Sequence, residues 1–297
     1  MPSVVPPSVP SPAPPSAPAP RGWGYGRWLL VGVALAGLVV LLSPTLQRKL
    51  YSRAYRFYRH YVRPPKGSGN ERTPALAGYA VRGVDVSSYQ GDIDWPTVAR
   101  EPGLKFAFVK ATEGRSWEDP YFDLNWKLLQ RAGLRRGAYH FYRPNRDATQ
   151  QANFFAATVH LEVGDLPPVL DVEKTDGRSP EVIRAGVQTW LRLVGRRYGV
   201  RPILYTNHDF YVKYFEGHFD EYPLWLAHYE VRQPRLHADR WTFWQHSDEA
   251  LVPGIRGFVD GNVFGGTVRE FERLLIGAKA AQKPVGEQNS RKKPHQR

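Results

Sequence analysis

The 297-residue chain contains no cysteine. That excludes a disulfide scaffold, a Cys-ligated zinc site, an iron–sulfur cluster and a thiol nucleophile. Acidic residues are in deficit: 28 Asp+Glu stand against 41 Lys+Arg, a formal charge of +13 and a pI near 9.9. Internal repeats are absent, and an uncharged apolar run of fifteen residues occurs once, at 28–42. What is present is enough for a core: 42% hydrophobic residues and 13% aromatics exclude a wholly disordered chain.

The sequence divides by composition. Residues 1–27 form a Pro-rich tail, with nine prolines in the first twenty positions, a composition that favours polyproline-like disorder. The run at 28–42 reads WLLVGVALAGLVVLL. As a helix it spans roughly 22 Å, and extension back to Gly22 with Arg27 snorkelling brings it near bilayer length. Trp23, Tyr25 and Trp28 suit an interfacial belt. No A-x-A site follows, and Pro44 sits where a signal peptide would be cut, which favours an uncleaved single-pass anchor. In the stalk and linker at 43–78, Leu46, Leu50, Ala54, Phe57 and Tyr61 mark one helical face and six Lys and Arg residues fill much of the rest. This is either a basic amphipathic helix on an anionic surface or a solvated stalk. Residues 277–297 read as a basic disordered tail.

The folded domain is therefore expected at 79–276. Eight β-rich runs recur there, at 81–86, 106–111, 137–141, 169–172, 203–206, 224–227, 242–245 and 258–262. Several are apolar on both faces, as buried parallel strands are. Helical stripes lie at 120–132, 149–160, 180–198 and 268–276, the third opened by Ser179-Pro180-Glu181 as a cap and first turn. Eight strands with fewer helices predict an irregular α/β barrel of the TIM type, with its chemistry at the C-terminal strand ends.

Polar residues collect at those ends. They include Asp85, then Lys110 and Glu113, then Tyr139, His140 and Tyr142, then Asp171 and Glu173, with Tyr205, Trp225, Gln245 and Asp260 on later strands. The Asp171-x-Glu173 step is the most informative, because residues two apart in a strand share a face. Two carboxylates in one partly buried site push their pKa values apart, so one can act as an acid at neutral pH. Glycosidic hydrolysis needs such an acid and a second group that stabilises positive charge on the sugar. Asp85, Asp171, Glu173 and Asp260 could instead ligate a cation, the less favoured reading. Tyr139, Tyr142, Tyr205, Trp225, Tyr229 and Trp244 offer faces for a sugar ligand, although some must fill the core. Alternation puts Tyr139 and Phe141 on one face and His140 on the other, as a structural histidine.

The segments GVDVSSYQGDIDW, FAFVKATEG, GLRRGAYHFYRP, PPVLDVE, PILYTN, YPLWLAHY, FWQHS and VDGNVF, in this order, resemble the glycoside hydrolase family 25 lysozymes, the Chalaropsis-type muramidases. The resemblance spans essentially all of 79–276. It implies a flattened, irregular β/α barrel that cleaves the β-1,4 bond after N-acetylmuramic acid in peptidoglycan, without a cofactor or metal. It implies Glu173 as general acid, Asp171 as its partner, Asp85 and Asp260 as supporting acids, and Tyr139 and Tyr205 as motif tyrosines. Tyr142, Trp225 and Gln245 complete the candidate substrate-binding set. The resemblance suggests assistance by the substrate's 2-acetamido group, with a direct carboxylate nucleophile as the alternative.

Three rival readings differ in what they need. A non-catalytic peptidoglycan-binding module would not need four acids. A chitinase-like barrel would share the Asp-x-Glu step but not the surrounding motifs. A nucleic-acid-binding protein would need a basic domain, yet 79–276 carries 25 Lys+Arg and 26 Asp+Glu, a net of −1, while the flanks carry +9 and +5. The charge thus marks the ends of the chain, suited to anionic lipid or wall polymer. The expected protein is a monomer in the cell membrane with its catalytic domain on the periplasmic or extracellular side. The flanking charges alone point the other way, since Arg48, Lys49, Arg53, Arg56 and Arg59 follow the span.

Overall fold

The computed structural model describes residues 76–234, 236 and 240–278. The Pro-rich tail, the span at 28–42, the stalk through residue 75 and all but the start of the basic tail lie outside these residues. Among the described residues no helix is long and apolar enough to cross a membrane.

Nine strands form one sheet: β1 Arg82–Val86, β2 Leu104–Glu113, β3 Trp117–Glu118, β4 Arg135–Phe141, β5 Val169–Asp171, β6 Ile203–Asn207, β7 Leu224–Ala227, β8 Trp241–Ala250 and β9 Val259–Phe264. Eight of them close into a barrel. β1, β2, β4, β5, β6, β7 and β8 run parallel to one another, and β9 lies between β8 and β1, antiparallel to both. The short β3 folds back on the end of β2. All eight runs read from the sequence are barrel strands. The expectation of parallel strands throughout is corrected at the last one. Its reversal brings the first residues of β9, Asp260 among them, to the mouth where the other strands end.

Six α-helical segments surround the barrel among the described residues: α1 Trp95–Val98, α2 Phe122–Arg131, α3 Ala148–Thr158, α4 Pro180–Tyr198, α5 His208–Phe210 and α6 Val268–Leu274. The longest, α4, has Pro180 in its first turn, Glu181 at its positive end, Arg196 and Arg197 at its negative end and left-handed Gly199 as its stop. Ser179 sits at the cap position with extended backbone, but its hydroxyl caps no helix N–H. The buried stripe of Ile183, Val187, Trp190, Leu191 and Val194 packs α4 on the barrel's outer wall. At α6, Thr267 and Glu270 satisfy each other's backbone N–H in a capping box.

The barrel interior is an aromatic column. Phe271 of α6 closes its lower end, 5.6 Å from Phe106. Phe106 meets Phe108 and Phe243 at 5.4 and 5.2 Å, and Phe108 stacks on Trp225 at 4.3 Å. Tyr205 and Tyr139 then contact Trp225 from above, at 4.5 and 6.5 Å. This filling turns the upper end of the barrel into a cup with a rigid floor.

Two glycines make room for the column. A Cβ on Gly83 would lie 2.5 Å from the Phe106 ring, and one on Gly137 would lie 2.5 Å from the Phe108 ring and 3.2 Å from Leu166. Gly137→Ala should therefore destabilise the domain by about 1–3 kcal/mol through overpacking. Gly78→Ala, where a Cβ meets nothing within 4 Å, should change stability by less than about 0.5 kcal/mol. Urea unfolding of both variants checks this; equal midpoints would contradict the packing account.

Candidate active site

A cavity of about 750 Å³ opens at the mouth of the barrel. It is lined by Asp85 from β1, Lys110 and Glu113 from β2, Tyr139 and Phe141 from β4, Asp171 and Glu173 from β5 and the residues after it, and Asp260 from β9. A bulge in β2 between Lys110 and Thr112 shifts the alternation there. Thr112 then points outward to His140, at 2.7 Å, while Glu113 faces the cavity.

Asp85 is held by two amides. Its Oδ2 accepts from Gln245 Nε2 and from Asn262 Nδ2, each at 2.7 Å. Each amide is itself fixed: Gln245 Oε1 accepts the hydroxyls of Tyr205 at 2.8 Å and Tyr229 at 2.5 Å, and Asn262 Oδ1 accepts Trp225 Nε1–H at 2.8 Å. Desolvation nonetheless pushes the Asp85 carboxyl up to about 6, against the lowering effect of these bonds and of a hydrogen bond with Asp260, and with the Glu173 charge adding to the rise.

Asp171 and Glu173 face the same cavity, as the Asp-x-Glu spacing requires. β5 ends at Asp171, yet the extended path continues: Val172 N–H donates to Tyr205 O at 2.9 Å, and Thr206 Oγ1 donates to Val172 O at 2.7 Å. Burial raises Asp171 well above the ordinary carboxylate range, and the Glu173 charge adds to it, while Lys110 pulls it down. Burial raises Glu173 as well, against Lys174 and Lys110. The pair therefore retains a proton to higher pH than a lone carboxyl does. Asp171 Oδ1 is buried and has no hydrogen-bond donor in the protein. A buried acceptor left open beside a cavity is placed to take an N–H or O–H from a ligand.

Tyr139 and Tyr205 are raised well above 10, first by desolvation; nearby carboxylates, Asp85 and Asp171 among them, add to this. Both remain protonated donors at neutral pH. Among the described residues no three His, Cys, Asp or Glu side chains group as a metal site.

Eight of the nine candidate residues thus share one cavity: Asp85, Tyr139, Asp171, Glu173, Tyr205, Trp225, Gln245 and Asp260. Tyr142 is the exception. Its side chain is buried in the helical layer, where its hydroxyl occupies the space a Cβ on Gly186 would take. The alternation that turns His140 outward turns Tyr142 outward too. His140 itself is buried between Thr112, Gln151 and the face of Trp190, with burial holding it neutral near 4. Asn262, which anchors Asp85, was not among the candidates. The signal for it was the same two-residue step: in β9, Asp260, Asn262 and Phe264 share the inner face.

The sequence of this mouth matches a known family. Residues 84–255 fit the profile of Glycosyl hydrolases family 25. The chain belongs to this family. The matched stretch holds Asp85, Asp171, Glu173 and Gln245 and ends before β9, which supplies Asp260 and Asn262. Among its relatives, the uncharacterized protein YegX of Escherichia coli is 44% identical over 259 residues, 84% of this chain and 94% of that one. Lysozyme M1 of Streptomyces globisporus is 33% identical over 266 residues, 80% of this chain and 90% of that one. The crystal structure of a lysozyme from Streptomyces coelicolor superposes with a TM-score of 0.62 at 33% identity, covering 67% of this chain and 98% of that one. The eight-stranded α/β barrel is thus the family 25 barrel.

The family's barrel here carries a stability cost in Asp85. A carboxyl raised in the folded state stabilises fully below its unfolded value, and this contribution is lost as pH rises through the folded one. For Asp85 the window runs from 3.8 to about 6, a difference worth up to about 3 kcal/mol at higher pH. His140 and His246, both buried and held near 4, act in the opposite sense below 6.5, so variant and wild type must be compared at each pH. Asp85→Asn can keep both amide bonds to its oxygen and offer its own N–H to Asp260. At pH 8 it should melt at or above the wild-type temperature, and at pH 4 it should lose that advantage. Calorimetry at the two pH values checks this; a melting-point difference independent of pH would contradict the account.

Proposed function

We propose that this chain is a muramidase that hydrolyses the β-1,4 bond between N-acetylmuramic acid and N-acetylglucosamine in peptidoglycan. The observation that carries the reading is the pair of buried Asp171 and half-buried Glu173 in one mouth, with Asp171 Oδ1 open to a ligand donor. The substrate's acetamido N–H, bonded to Asp171, favours the ionised form of that carboxyl, so the proton of the pair rests on Glu173, which delivers it to the glycosidic oxygen as the bond to the sugar's anomeric carbon breaks. The open oxygen of Asp171 accepts the N–H of the substrate's 2-acetamido group. That orients the acetamido carbonyl oxygen, which closes on the anomeric carbon as the leaving sugar departs. Negative Asp171 stabilises the positive charge that develops on the ring so formed. Glu173, now ionised, takes a proton from water, and the hydroxide opens the ring and regenerates both groups.

Asp85, fixed by Gln245 and Asn262, and Asp260 beside it hold the sugar hydroxyls. The protonated Tyr139 donates a further hydrogen bond, while the Tyr205 hydroxyl, whose proton goes to Gln245 Oε1, accepts one. Trp225 forms the floor rather than a stacking platform, since both its ring packing and its N–H are already used. The domain acts outside the cytoplasmic membrane as a monomer, tethered through the apolar run at 28–42. Protection of the domain from protease added to spheroplasts would refute that placement.

Glu173→Gln removes the transferable proton and keeps the shape. It should lower the lysis of purified cell walls by at least about 10²-fold while the melting temperature stays within a few degrees and wall binding persists. Turbidity of a wall suspension measures the first. Full lysis by this variant would overturn the assignment, and lysis by neither protein would favour a binding module.

A further inference from the structure

Glu173 reaches its place without a hydrogen bond of its own. β5 ends at Asp171, and among the described residues no hydrogen bond engages Glu173 or Lys174, on backbone or side chain. Where the Glu173 carboxyl lies is therefore set by the chain on either side of it. On the near side Val172 is fixed to β6 through both its N–H and its carbonyl. On the far side residues 175–178 form a turn, in which Arg178 N–H donates to Thr175 O at 2.9 Å.

Asp176 ties that turn to the barrel. Its Oδ2 accepts Arg143 Nε at 2.8 Å and its Oδ1 accepts Arg143 Nη2 at 2.9 Å, a two-pronged bond to one guanidinium. Only 10% of the Asp176 side chain is exposed. Arg143, just after β4, is held in turn. Its N–H donates to Oε1 of buried Gln151 in α3 at 2.9 Å, and its carbonyl accepts Gln151 Nε2 at 3.0 Å. Its Nη1 reaches Glu113 Oε1 of β2 at 3.2 Å. Arg143, Glu113 and Glu173 line the same cavity. The backbone of the turn is strained at this point, since Asp176 has φ 45°, in the left-handed region. Glycine would adopt it freely. A residue with a Cβ stays there only where its surroundings hold it, and the two bonds to Arg143 do so.

We propose that Arg143 and Asp176 are positioning residues for the hydrolysis: their clamp fixes the segment that carries Glu173, so that the acid meets the glycosidic oxygen in a reacting geometry. This rests on the muramidase reading of the mouth and adds two residues to it. Val172 anchors the chain one residue before Glu173, and Asp176 anchors it three residues after. With the clamp gone, the carboxyl sits on a tether anchored firmly at one end. A catalytic group misplaced by about 1 Å costs about 10²-fold in rate. Asp85, Asp171 and Asp260 stand on the barrel strands, so the groups that hold the sugar stay in place.

The test uses the full-length protein on purified peptidoglycan. Asp176→Gly accepts the left-handed backbone and leaves no buried carboxylate behind. It should lower kcat about 10–100-fold with KM within about threefold. Asp176→Asn tolerates the same backbone and still offers Arg143 an oxygen, so it should recover most of the rate. Adding Arg143→Met to Asp176→Gly should cost less than about threefold more, since both changes remove one clamp. Arg143→Lys keeps the charge and loses the fork; it should be slowed at least about fivefold, which decides the matter if Asp176→Gly fails to fold. Backbone ¹⁵N order parameters at 173–177 should fall from about 0.85 to below about 0.6 in Asp176→Gly, with those of β4 and β6 unchanged. Wild-type kcat in Asp176→Gly or Arg143→Lys, a loss confined to KM, Asp176→Asn as impaired as Asp176→Gly, multiplying losses in the double variant, or order parameters that stay put would overturn the proposal. If the wild-type protein lyses nothing, the muramidase reading falls, and the order parameters alone decide whether the clamp fixes Glu173.

Discussion

Asp85 and Asp171 lie buried in one cavity, and the cost of ionising both there is the constraint around which the mouth is built. In water such carboxylates would be hydrated and titrate near 4. Here hydration is replaced unequally. Asp85 receives two amide N–H bonds, each from an amide fixed by further partners. Asp171 keeps one oxygen without a donor. Glu173 sits nearer the rim, half-buried beside exposed Lys174. Three environments give three carboxyls with different proton affinities, the condition under which neighbouring acids can take different roles.

The barrel supplies the rigidity that such unequal solvation needs. Its aromatic column runs from Phe271 to Trp225 and leaves no slack beneath the cavity. Trp225 links packing to polarity, because the indole that stacks on Phe108 also donates to Asn262, which holds Asp85. A change in the column is thus transmitted to the carboxylate through one tryptophan. The reversed β9 completes the arrangement, since it closes the barrel and supplies both Asp260 and Asn262 from its inner face.

Much of this was legible in the sequence, for physical reasons. Strands apolar on both faces, such as 106–109, betray a buried barrel wall, and the two-residue step betrays that Asp171 and Glu173 share a face. The direction of β9 was not legible, because the runs at 242–245 and 258–262 leave the dozen residues a parallel crossover requires, and only the continuation of β8 to Ala250 shortens the connection to 251–258. Aromatic character alone does not place Tyr142, whose parity beyond β4 turns it outward with His140. The clamp between Arg143 and Asp176 was invisible, since the two residues, 33 apart in sequence, meet only after β4 pairs with β5. The anchor and stalk rest on composition alone and lie outside the described residues.

The central claim is that this mouth cuts one particular glycosidic bond. Purified peptidoglycan digested with the full-length protein, reduced with borohydride and analysed by mass spectrometry gives the most direct test. The account predicts soluble muropeptides ending in reduced N-acetylmuramic acid, absent from the Glu173→Gln digest. Products ending in reduced N-acetylglucosamine, or intact glycan from the wild-type protein, would contradict it.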